Sequence, residues 1–392
     1  MNKSPTVLIV GAGPVGLTAA LVLAQADIPV RVVDAGPDVD KRMRASTFHP
    51  PTLDMLETLG LASDLVSQGL PVSRFQLRQH ESGDHVVFDL SDISDATSHP
   101  YRLQVEQHRY CALAVESLSR SGIDVEFNTR VESVIQSADE VTAILQNGEI
   151  HALWLIGADG ATSEVRRSLR LEYSGDTDTH SAVFVSTTFP FHDCIENLSD
   201  ISYCWSERGP FSLLRLKQLW RVSLHPGVED LNAAADENRV RDWLAYIHAN
   251  AVDAEILTVN PYRIHECCID RFRVGRVLLA GDAAHLNPPS GGMGMNGGIH
   301  DAMNLSEKLI EVLAGADQSL LDRYDRQRRT LVTERIIPQA SANRKRMATR
   351  DKTIQLKRLA ERRATASSAV ANRAYLLHSS MIAGLREAAK IE

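Results

Sequence analysis

Cysteine is scarce in this chain and scattered where it occurs. Cys111, Cys194, Cys204, Cys267 and Cys268 form no C-x-x-C pair, and an odd, dispersed set argues against a disulfide framework. The fourteen histidines show no ligand spacing, so no metal site is expected and the thiols read as free and buried. Positive charge is also short. A net charge of −8 weighs against a nucleic-acid partner, which needs a basic face to neutralise phosphates. No apolar run approaches the roughly 20 residues of a bilayer span. The opening "MNKSPTVLIVGAG" runs into a structural pattern without a cleavage site, so a cytoplasmic protein without a membrane partner is expected. Internal repeats and low-complexity linkers are missing too.

What is present is ordinary in bulk and unusual in order. The 392 residues allow two domains, or one large domain with an insertion. "TVLIV" (6–10) is an uninterrupted apolar strand, the pattern of a parallel sheet covered on both faces. It runs into "GAGPVG", which places Gly11, Gly13 and Gly16 in a G-x-G-x-x-G turn that also holds Pro14 and Val15. Gly11 permits the tight turn, Gly13 lets backbone approach a pyrophosphate, and Gly16 lets the following helix pack on the strand. That helix offers unpaired N–H groups to phosphates. "PVRVVD" then ends at Asp34, where a carboxylate can accept from ribose hydroxyls. The turn does not distinguish FAD from NAD.

Two later stretches repeat the logic of a strand feeding a polar turn. "ALWLIGADGATSEVRRSL" bends at Asp159–Gly160, with Ser163 placed to cap a helix. "RVLLAGDAAHLNPPSGGMGMNGG" brings Asp282 to a strand's carboxyl end, stiffens the turn with Pro288 and Pro289, and offers a glycine-rich loop before a helix starting at Ile299. Taken in this order, the three motifs resemble the fingerprints of the class A FAD-dependent aromatic monooxygenases, the para-hydroxybenzoate hydroxylase-like family.

The resemblance implies an α/β fold: a Rossmann-like FAD-binding domain of GR2 type, an inserted antiparallel-sheet substrate domain and C-terminal helices. It divides the chain into cofactor-domain parts 1–71, 98–172 and 267–317, substrate-domain parts 72–97 and 173–266, and helices 318–392. It implies that Gly11, Gly13, Pro14, Val15 and Gly16 hold the pyrophosphate and Asp34 the adenosine ribose. Arg44 and Gln107 face the phosphate and ribityl region, Val131 the adenine, and Asp159 both FAD and the reduced nicotinamide. Asp282 takes the ribityl hydroxyls, Pro289 lies beside the flavin ring, and Gly292, Gly294, Met295 and Asn296 face its N1–O2 edge. Negative charge on the reduced ring would be met there by N–H donors at a helix start.

The implied reaction uses NADH or NADPH and O2, through a flavin C4a-hydroperoxide, to hydroxylate an electron-rich aromatic or N-heteroaromatic, acidic small molecule. A flavin-dependent dehydrogenase or oxidase, or a non-catalytic flavin redox sensor, is the alternative on the same scaffold. The strand-like runs between Arg170 and Val274 supply pocket candidates: Tyr203, Trp205, Arg215, Arg221, His225 and Tyr262. Arg215 interrupts an apolar strand, which suits either a carboxylate anchor or a surface position. No side chain stands out as the base for a phenol. The arginine-rich tail reads as helices with solvated faces that close the pocket or form a subunit contact, as in a homodimer.

Overall fold

A computed structural model describes residues 6–392. The strand Val7–Val10 is buried along its whole length and lies inside a six-stranded sheet. It runs parallel to Val30–Val33 on one side and Trp154–Gly157 on the other, and Trp154–Gly157 runs parallel to Val277–Leu279. Ligands of such sheets bind at the carboxyl ends of the strands. The Gly11, Asp159 and Asp282 turns all follow those ends. The helix Pro14–Gln25 packs against the long helix Met293–Leu313, and glycine makes the approach possible. A Cβ on Gly16 would lie 1.9 Å from the Gly11 carbonyl oxygen, and one on Gly298 would lie 2.6 Å from Val15 Cγ2.

The chain enters an eight-stranded sheet three times, first with Arg74–Gln79 and His85–Asp89, then with the strands from Ser174 to Cys268, and last with His285–Leu286. This second sheet is mixed, not purely antiparallel. Ile201–Trp205 pairs parallel to Arg74–Gln79, because the first two visits bring these strands in along the same direction. One face buries Val183, Val185, Leu213, Trp220 and Val222 against the helix Glu237–Ile247. The other face looks toward the parallel sheet.

The C-terminal helices close the open end of that second face. Leu359, Leu376 and Ile382 pack with Phe75 and Phe88, so these helices carry core contacts as well as solvated arginines. All five cysteines are free, with Cys194 half-buried and the other four buried. No helix of the described residues is long and apolar enough to cross a membrane.

Candidate active site

A continuous cleft of about 1860 Å³ separates the two sheets. Single-ligand pockets measure roughly 300–1,000 Å³, so this one has room for a long cofactor and a second molecule. Gly11, Gly13, Pro14, Val15, Asp34, Arg44, Gln107, Val131 and Asp159 line one end, and Asp282, Pro289, Gly292, Gly294 and Met295 the other. Gly16 lies beneath, packed on the Gly11 backbone.

The glycine turn has two kinds of position. Gly11 adopts φ +108°, and a Cβ there would meet the Ala158 carbonyl oxygen at 2.3 Å. Gly13 would meet nothing within 4 Å, so its missing side chain keeps open space for an approaching group. Asp34 braces the turn itself: Oδ2 accepts from Ala12 N and Oδ1 from Gly36 N, both at 2.7 Å. Arg44 pairs with Asp40 at 3.0 Å on an exposed loop. Asp159 Oδ2 accepts from Glu164 N at 2.8 Å and Val165 N at 3.2 Å, while Oδ1 is buried without a partner. Burial pushes the Asp159 carboxyl up, and does the same to Asp282, whose side chain is open to the cleft yet densely surrounded.

The ring-end loop is shorter than the sequence suggests. The helix begins at Met293 rather than Ile299, with Gly292 as its cap at φ 67°. Met293, Gly294 and Met295 form its first turn, where N–H groups have no intrahelical partner. Asn296 is fully buried, and its side chain does not line the cleft. One residue further along, it points inward, donating to Thr47 O at 2.8 Å and Gly292 O at 2.7 Å. Its Oδ1 accepts from His49 N at 2.9 Å and Thr52 Oγ1 at 2.7 Å.

His49 Nε2 in turn donates to Gly291 O at 2.8 Å; burial lowers its pKa to about 3, so the ring is neutral. Behind Asp282, Asp301 joins His285 at 2.7 Å and Arg328 at 2.6 Å in full burial. Burial alone would raise the Asp301 pKa, but Arg328 and His285 overcome it and hold it at about 2.

An FAD molecule fits these donors and acceptors. The space over Gly13, the unpartnered oxygen of Asp159, the open Asp282 carboxylate and the helix start at Met293 lie along one cleft.

Across the cleft, strand register decides which candidates face it. Leu214 pairs with Arg221 and Ser212 with Ser223, so these four share the cleft face with Tyr203, opposite Ser212. Arg215 alternates to the other face and pairs with Asp200 at 3.1 Å, outside the cleft. It is therefore no substrate anchor. Arg221 sits 3.7 Å over the Phe184 ring and donates to Ser46 Oγ at 2.9 Å and to the Arg44 carbonyl. Its pKa falls to about 10 through burial.

Tyr262 stacks on Phe184 at 4.3 Å, and burial raises its hydroxyl to about 12. His225 lines the cleft as a neutral ring, lowered to about 4 by burial. Trp205 is buried with its Nε1 donating to Arg346 O at 3.1 Å. Sequence reasoning missed Arg102, Phe184, Arg346, Arg362 and Tyr375, all in the lining. The alternation of "AVFVSTTF" could have found Phe184; the others lie in segments with no motif.

A family model described as an FAD binding domain matches residues 4–339. Para-nitrophenol 4-monooxygenase of Pseudomonas sp. strain WBC-3 is 33% identical over 355 residues, 88% of this chain and 87% of its own. The 6-hydroxy-3-succinoylpyridine 3-monooxygenase HspB of Pseudomonas putida is 32% identical over 353 residues, 88% of this chain and 89% of its own.

Among solved structures, p-nitrophenol 4-monooxygenase PnpA of Pseudomonas putida DLL-E4 matches with a TM-score of 0.90 at 29% identity, over 97% of this chain and 99% of its own. A complex of aklavinone-11 hydroxylase with FAD and aklavinone matches with a TM-score of 0.77 at 26% identity, over 89% of this chain and 70% of its own. A family match across most of the chain, together with this likeness to aromatic hydroxylases, identifies the protein as a class A FAD-dependent aromatic monooxygenase.

Proposed function

We propose that the enzyme hydroxylates a phenolic or N-heteroaromatic acid of one-ring size, with NADH or NADPH as reductant. Bound FAD, once reduced, supplies the activation of O2, so that one oxygen atom enters the ring and the other leaves as water. The protein's share is placement and electrostatics. Gly13 and the start of the helix Pro14–Gln25 would receive the pyrophosphate. Asp282 would accept from ribityl hydroxyls, and the N–H groups of Met293, Gly294 and Met295 would meet negative charge at the ring edge.

The carrying observation is that this helix start and the aromatic, arginine-bearing face of the second sheet line one cleft. Phe184, Tyr262 and Tyr203 would hold an aromatic ring there and exclude water from the reacting centre. The names of two relatives, a para-nitrophenol and a 6-hydroxy-3-succinoylpyridine monooxygenase, support a small hydroxylated ring. The test is a screen of aromatic acids and phenols for stimulated NAD(P)H oxidation by the purified flavoprotein, with hydrogen peroxide measured alongside. Stimulated oxidation with little peroxide is expected. Oxidation that yields only peroxide with every compound would sink the reading in favour of an oxidase.

A further inference from the structure

Three arginines line the cleft apart from the glycine turn and the start of the helix Met293–Leu313. The strand Arg102–Gln104 pairs with Thr47–Phe48 in the register Phe48 to Leu103, which sets Arg102 close to His49. His49 holds Gly291, at the edge of the helix start that would face the cofactor ring. Arg102 is only 2% exposed. Its Cζ lies 4.2 Å from the Phe75 ring centroid, and its Nη1 donates to the Tyr203 hydroxyl at 3.2 Å. Nη2 reaches Ser379 O at 3.5 Å, and the buried Nε has no partner.

Two more arginines arrive from the C-terminal helices. Arg362 lies 4.9 Å over the Tyr375 ring, and Tyr375 packs on Phe88 at 4.4 Å. Arg346 donates to Asn343 Oδ1 at 3.1 Å. Arg102, Arg346 and Arg362 all bear electrostatically on Tyr375, which is held neutral by burial. Glu361, on the exposed side of the helix that carries Arg362, bears on Arg346 without pairing with it. Among the described residues no carboxylate pairs with any of these three arginines. A guanidinium taken out of water without a counter-ion is costly, and a ligand that brings the missing charge removes that cost.

We propose that Arg102, Arg346 and Arg362, with the hydroxyls of Tyr203 and Tyr375, form an anion subsite for a carboxylate carried by the aromatic substrate. The proposal rests on the hydroxylase reading above and specifies its substrate class. The substrate's ring lies against Gly291–Gly292 and the sheet face, and its acidic arm runs along Tyr203 to reach Arg102. The planar fork of Arg102 suits a two-oxygen acceptor. A nitro group has the same shape but no net charge, and would leave the cations uncompensated.

The test uses calorimetric titration of the holoenzyme with 4-hydroxyphenyl alkanoic acids of increasing chain length and with their methyl esters. At least one acid should bind about tenfold or more tighter than its ester. Arg102→Gln and Arg362→Gln should each bring that ratio toward one, whereas Arg215→Gln, outside the cleft, should leave it unchanged. Arg362 is half-buried on a helix surface, so its variant remains informative where Arg102→Gln folds poorly.

Equal binding of acids and esters, failure of every acid to bind, or an acid preference that survives in the folded Arg102 and Arg362 variants would overturn the subsite. NAD(P)H oxidation read on the same samples separates the two claims. An acid preference in binding without oxidation keeps the subsite and removes the hydroxylase reading, whereas oxidation stimulated equally by neutral phenols does the reverse.

Discussion

Gly11 and Gly13 stand two residues apart and serve different ends. A side chain on Gly11 collides with the protein's own backbone, while one on Gly13 projects into the cleft. Gly11→Ala should therefore cost on the order of 2 kcal/mol or more of folding stability, through overpacking and a left-handed φ. Gly13→Ala should leave urea unfolding of the flavin-free protein nearly unchanged and lower the flavin-to-protein absorbance ratio of the purified enzyme. Equal stability losses in the two variants would contradict this division.

His49 supplies a pH prediction at the same scale. Its pKa falls from the usual 6.5 to about 3 in the fold, with burial as the chief cause. Below about pH 6.5 the unfolded chain takes up a proton that the folded ring refuses, so stability is full above that value and falls as pH drops toward 3. Each such histidine steepens the loss by up to about 1.4 kcal/mol per pH unit. His49→Gln, which keeps a donor for Gly291, should shrink the difference between urea midpoints at pH 7.5 and 5.5. An unchanged difference would rule His49 out as a contributor.

At the scale of elements, the helix Met293–Leu313 ties the site together. Its first turn faces the cleft, and Asp301, deeper in, links His285 on the Asp282 turn to Arg328 on the helix Ser319–Leu331. Removing one member of a buried ion pair strands the other, at about 3–5 kcal/mol. Arg328→Met should lower stability by that amount and weaken flavin retention through the Asp282 turn, read by urea unfolding and flavin fluorescence. A loss below about 1 kcal/mol would show the cluster to be unimportant for the fold.

This element also shows how far the sequence can be read. The strand, the turn at Asp282 and the helix announce themselves through an apolar run, two prolines and glycines. The helix start does not, because Gly292 to Asn296 look like loop until tertiary contacts from Thr47, His49 and Thr52 secure Asn296. On the second sheet the strands were legible by composition. Which face met the cofactor was not, and Arg215 fell on the wrong one because strand alternation is fixed by register, not by residue type. The arginines of the tail look solvated in sequence, because a helix carrying many charges gives no sign of which one faces inward.

At the scale of the molecule, two sheets entered alternately by one chain leave between them a cleft with two chemically different walls. The parallel sheet contributes backbone N–H groups and carboxylates, suited to a dinucleotide. The mixed sheet and tail contribute aromatic rings and arginines, suited to an acidic ring compound. The claim that joins them is oxygen transfer between occupants of the two walls. It is tested most directly by turnover of the best aromatic acid from the screen under isotopically labelled O2, with mass spectrometry of the product. The account predicts one labelled oxygen atom per hydroxylated product and none from labelled water. Product carrying no label from O2, or label only in hydrogen peroxide, would contradict it.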